Sequence, residues 1–279
     1  MIVEPDRDAL RAALDRESRR LVDQVRSARL DTPVPGLDWN IGQLVAHLGV
    51  VYRAFALAVR GEDLTPDIVA NLGTGETLPE VVASTNARAL AVVTFAEPGE
   101  AAGTLRECAD ELLAALDTDP DLQAARPTPW YGTGMTRTVG TLAALSVSES
   151  VVHGYDLAKA LRTRPWLDER SAAAAAPVVM SEMLPLLVDP AGARGFAGSF
   201  EVRIRRAPRF VLRLDDVQAR VVAADGGEVD CVLSLSACDA LLVGFRRRKL
   251  WQAMASGGAF AFGRKPWLGL RFNTLFQLP

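Results

Sequence analysis

The 279-residue chain carries 31 Lys and Arg against 34 Asp and Glu, and its net charge of −3 gives no electrostatic ground for a nucleic-acid or anionic-membrane partner. Hydrophobic residues make up 49% and charged ones 23%, a globular composition whose length suits two domains. No apolar run is read as approaching the ~20 residues of a membrane span, and Met1-Ile2-Val3-Glu4-Pro5-Asp6 lacks the basic and apolar regions of a signal peptide, so a cytoplasmic protein is expected.

Residues 5–29 carry a helical stripe of Leu10, Leu14, Leu21, Val22 and Val25, broken by Asp31-Thr32-Pro33-Val34-Pro35-Gly36. A second helix is predicted over 40–60, with Asn40 as N-cap and Gly61 as stop. Residues 62–77 read as loop. Helical periodicity returns over 78–96 and 101–116, interrupted at Pro98-Gly99, and the Pro- and Gly-rich stretch 117–134 reads as irregular. Another helix is predicted over 139–161, and an Ala-rich one, kinked or divided by Pro177 and Pro185, over 168–187.

Near residue 190 the pattern changes to alternation with period two. Phe200, Val202 and Ile204 alternate with Glu201, Arg203 and Arg205, and Phe210, Leu212 and Leu214 with Arg213 and Asp215. Further strands are predicted over 218–224, 229–235 and 259–262, with short helices over 237–245, 248–255 and 266–276. The fold expected is a four-helix bundle over residues 1–165, a helical linker over 166–192 and a smaller α+β domain over 193–279. Cys108, Cys231 and Cys238 form no C-x-x-C pair and read as buried, reduced thiols.

The two histidines of the chain, His47 and His153, lie beside apolar stripes on separate predicted helices. His47 borders the stripe Leu44, Leu48, Val51, Phe55. Glu149 precedes His153 by four residues, so both project from one helix face, on the apolar side. A carboxylate facing a core is costly unless paired, protonated or bound to a cation. Two imidazoles and one carboxylate make a zinc-type ligand set with a fourth position left for water or substrate. Spacing alone equally allows hydrogen-bonded core histidines and an ordinary Glu–His ion pair. Asp156, one turn beyond His153, is a candidate to accept the free imidazole N–H or to brace its helix. Trp39 reads as a helix anchor. Trp130 and Tyr131 read as core filler, with a place beside the site as the alternative.

Trp39-x7-His47-Leu48 and Glu149-x3-His153-Gly154-x-Asp156-Leu157, with Trp130-Tyr131-Gly132 before the second helix, resemble the mycothiol-dependent maleylpyruvate isomerase family of the DinB-like metalloenzyme superfamily. Asp230-Cys231-Val232-Leu233-Ser234-Leu235, Leu241-Leu242-Val243-Gly244 and Ala253-Met254-Ala255-Ser256-Gly257-Gly258 are similar to the sterol-carrier-protein-like domain often attached to it. The resemblance implies a zinc or other divalent metal held by His47, Glu149 and His153, with mycothiol as cosubstrate. It further implies isomerisation or S-transfer on a small electrophile, with no nucleic-acid or membrane partner. An arginine of the C-terminal domain reaches the active site in the isomerase. Its candidate here is Arg246, within Phe245-Arg246-Arg247-Arg248-Lys249, and the alternative is a solvated basic run. The rival function is a non-catalytic small-molecule or lipid carrier, or a regulatory protein, whose metal site is structural.

Overall fold

The computed structural model describes residues 2–277. Helix α1 (Arg7–Val25) opens on an Asp6 side chain that accepts from the Ala9 N–H. Helix α2 (Ile41–Arg60) begins at a reciprocal capping box between Asn40 and Gln43 and ends at Gly61, whose φ of 73° lies in the left-handed region open to glycine. The loop expected over 62–77 contains a single turn of helix, α3 (Pro66–Ala70). Helix α4 (Leu78–Val92) follows, then α5 (Pro98–Asp117). The break expected at Pro98-Gly99 lies earlier, over 93–97, and Pro98 opens α5: a proline in the first turn loses no intrahelical hydrogen bond.

The stretch 117–134 is less irregular than expected. Strands β1 (Ala125–Pro127) and β2 (Thr136–Thr138) pair antiparallel around a 3₁₀ turn at Pro129–Tyr131. Helix α6 (Val139–Ala160) leaves β2 through a Thr138 cap. Helices α1, α2, α5 and α6 pack on one another as a bundle, with α4 laid against α2. Leu10, Leu14, Leu44, Leu48, Leu105 and Leu112 are fully buried between them. Contrary to the sequence reading, α2 is long and apolar enough to cross a membrane by length and composition, but 72% of its apolar window is buried inside the protein.

Helix α7 (Glu169–Met183) continues through Pro177, which does not divide it, and occupies most of the expected linker. It packs on α6 and α1 on one side, and on three elements of the C-terminal part on the other. These belong to a sequence that continues with α8 (Pro190–Ala193), β3 (Ala197–Ile204), β4 (Phe210–Asp215), β5 (Gln218–Ala223), β6 (Cys231–Leu235), α9 (Ala237–Gly244), α10 (Leu250–Ala255), β7 (Ala259–Phe262) and α11 (Leu268–Arg271). The terminal helix expected over 266–276 is one α turn followed by a 3₁₀ turn at Phe272–Leu275.

The five strands form one sheet in the order β5-β4-β3-β6-β7, antiparallel except where β3 runs beside β6. Its inner face buries Phe200, Val202, Ile204, Phe210 and Leu212 toward α7. The register gathers Arg203, Arg213 and Arg220 with Phe260 and Phe262 on the other face, toward solvent. This is the alternation read in the sequence, one residue in and one out.

Candidate metal and thiol site

The core contact between α2 and α6 brings together the residues singled out in the sequence. His47 faces α6 from the middle of α2, and its Nε2 lies 3.3 Å from Glu149 Oε2. His153 Nε2 lies 3.2 Å from the same oxygen. The three donor atoms fall within 4.8 Å of one another. The imidazole centroids are 5.0 Å apart, and the Trp39 ring packs 5.0 Å from one and 6.0 Å from the other. Trp39 therefore shields both histidines besides sitting just ahead of the α2 cap.

Behind His153 stands a second acid. Asp156 Oδ2 lies 3.0 Å from His153 Nδ1. A carboxylate only accepts here, so Nδ1 carries the hydrogen and Nε2 is the atom turned to the site. Asp156 is buried and is gripped in turn by Arg247, whose Nε donates at 3.0 Å and 2.9 Å to its two oxygens. Arg247 Nη1 donates to the Phe245 carbonyl. The sequence reading named Arg246. That guanidinium lines the adjoining cavity and donates to the Phe276 carbonyl. The cause is the turn after α9: Arg246 adopts a φ of 52°, so neighbouring side chains leave the backbone in different directions. The chain thus delivers Arg247 to Asp156. No spacing in the sequence encodes that rotation.

Burial shifts the ionisation of the cluster. Burial lowers the pKa of His47, with Glu149 pulling the other way. His153 is also penalised by burial, but its hydrogen bonds to Asp156 and Glu149 outweigh this and raise it to about 9. Burial pushes Glu149 up, and the two imidazoles more than reverse that, holding it well below the usual carboxylate range. A carboxylate between two imidazole nitrogens, deep in apolar surroundings, is an arrangement suited to a cation. The donor set fits a divalent ion: three side chains of compatible chemistry, one fixed by a carboxylate partner, as metal-ligating histidines commonly are.

The site opens into a cavity of about 710 Å³ between the bundle and the C-terminal part. Trp39, Tyr131 and Trp130 border it, and Trp130 stacks on Phe55 at 5.5 Å. The two residues read mainly as core filler therefore do both jobs. The three cysteines are free and buried, and none borders the cavity.

A family model, the mycothiol maleylpyruvate isomerase N-terminal domain, matches residues 11–158, more than half of the chain. The chain belongs to this family. A crystal structure of a histidine-to-alanine variant of mycothiol-dependent maleylpyruvate isomerase superposes with a TM-score of 0.50 at 13% identity, covering 92% of each chain. Another crystal structure of that isomerase gives 0.48 at 14% identity over the same shares. An SCP2 ubiquinone synthesis protein overlaps 31% of this chain and 69% of its own, at 18% identity and a TM-score of 0.26. No curated protein matches the sequence. At these identities the superposition on the variant speaks for a shared fold.

Proposed function

We propose that the protein is a divalent-metal-dependent enzyme, with zinc the first candidate, that uses mycothiol or a similar low-molecular-weight thiol to isomerise a small electrophile or to transfer the thiol sulfur to it. The observation that carries this reading is the convergence of His47, Glu149 and His153 within 4.8 Å at the wall of a large cavity. A metal held by their Nε2 and carboxylate oxygen atoms would act as a Lewis acid with a coordination position to spare, favouring the thiolate form of an entering thiol.

The remaining work falls to the chain. Asp156 fixes the His153 ring and Arg247 fixes Asp156. Trp39 and Trp130 keep water from the apolar side of the site. The thiolate sulfur adds to an electron-poor alkene carbon, and the π pair moves to the conjugated carbonyl. The former double bond rotates as a single bond, and expulsion of sulfur restores the alkene in the other geometry. The thiol is regenerated in this cycle. In S-transfer the same sulfur displaces a leaving group and stays on carbon.

The apolar cavity also favours a second reading, a carrier whose metal is structural. Metal analysis followed by turnover with and without thiol separates the two. His153→Ala is expected to abolish metal binding and Cys108→Ala to leave it intact; equal metal retention in both refutes the ligand assignment. A metal-loaded protein with no thiol-dependent turnover on any electrophile favours the carrier.

A further inference from the structure

Maleylpyruvate-type substrates are short diacids, and a site for one needs cations aimed at two carboxylates, because burying an unpaired carboxylate is costly. The cavity next to the triad is built otherwise. Apart from the two histidines, its charged lining residues are Asp67, Glu149, Arg246 and Arg247. Arg247 spends its Nε on both Asp156 oxygens and its Nη1 on a backbone carbonyl. Arg246 donates to the Phe276 carbonyl. Two of the four are acids. Away from the triad most of the wall is hydrocarbon, with Phe55 and Leu90 from the helical part, Met183 from α7, and Leu241, Phe272 and Phe276 from the C-terminal part, and the polar side chains among them, such as Asn71, Asn273 and Gln277, are uncharged. At about 710 Å³, the space lies in the range of pockets that enclose whole drug-sized ligands.

We propose that the electrophile taken by this site is a hydrophobic molecule with a neutral alkyl or aryl body, whose reactive carbon lies at the His47–Glu149–His153 end. The proposal rests on the reading of that end as a metal and thiol centre. A conjugated 2-alkenal serves as the model. The S–C bond forms at its β carbon, the π bond breaks, and the thiol's proton ends on the α carbon. The tail lies among the C-terminal side chains, which gives the second region a direct part in choosing substrate.

Two arms test this on the full-length, metal-loaded chain. In the first, the neutral fluorophore N-phenyl-1-naphthylamine is displaced by 1-butanol, 1-hexanol, 1-decanol or fumarate, with no chemistry involved. Affinity is expected to rise about threefold per methylene, slightly less than full transfer of a CH₂ from water would give, and fumarate is expected not to compete. In the second, turnover of 2-alkenals from butenal to decenal with mycothiol is expected to show kcat/KM climbing in parallel. Displacement independent of chain length, or fumarate competing as well as decanol, overturns the proposal. Graded displacement without any turnover upholds the ligand class and overturns the enzyme reading beneath it. Val51→Phe, which projects a ring from α2 into the cavity, is expected to weaken decanol at least tenfold more than butanol. Leu72→Phe tests the same wall from the loop after α3. Both variants are checked for unchanged metal content, and equal weakening of the two alcohols in both overturns the placement of the tail.

Discussion

The helical part and the sheet carry their charges in opposite ways. In the bundle, His47, Glu149, His153 and Asp156 are turned inward and linked in one chain of contacts ending on Arg247. In the sheet, Arg203, Arg213 and Arg220 stand on the outward face, and the inner face is hydrocarbon. The second pattern is what folding alone asks of a sheet. The first is not, because buried ions cost more in lost hydration than they return unless something uses them. Perturbed ionisation beside a cavity makes the bundle end the candidate functional site.

The contrast also appears in the net charges. Residues 193–279 hold 14 Lys and Arg against seven Asp and Glu, and residues 1–192 hold 17 against 27. The chain's total of −3 conceals this division.

Substitutions in the two regions sharpen the difference. The largest effect after loss of a ligand is expected for Asp156→Asn, which loosens His153: metal affinity should fall about 10- to 100-fold, measured by competition with a chelating dye. Arg247→Ala should weaken the metal in the same direction, since it frees Asp156, while Arg246→Ala should leave metal affinity unchanged. If the two arginine variants behave alike, the relay through Asp156 is wrong.

On the sheet side, Asp230 offers a case with a pH signature. Burial raises its pKa, but Lys265, Arg264 and the Ser199 N–H overcome that and hold it at about 2, against 3.8 for the free side chain. A depressed carboxylate stabilises the fold above its unfolded pKa, and that gain is lost as pH falls toward the folded one. Asp230→Asn should therefore unfold at lower denaturant than the parent at pH 6, with the gap narrowing between pH 4 and pH 2. The smallest effect is expected for Arg213→Ala, exposed on the outer face, which should change stability by less than about 0.5 kcal/mol.

Much of the site was legible because helices repeat. Period 3.6 turned His47 and the Glu149–His153 pair toward apolar stripes, and the Asn40 cap and Gly61 stop set the ends of α2 in the sequence itself. The alternation of β3 and β4 was as plain. What escaped depends on contacts between distant residues. Pro98 looked like a break because a proline reads the same before a helix as inside one. The 125–138 hairpin is three residues on each strand, too short for a pattern. The choice of Arg247 over Arg246 follows from one backbone rotation, and the cavity exists only once α7 has brought the sheet against the bundle.

His47 on α2 and Glu149 and His153 on α6 are proposed to share one ion. Anomalous scattering from crystals grown with zinc tests this most directly. A single ion is expected with His47 Nε2, His153 Nε2 and a Glu149 oxygen at about 2.0–2.2 Å. An ion bound elsewhere, or none at the triad in zinc-saturated protein, would contradict it.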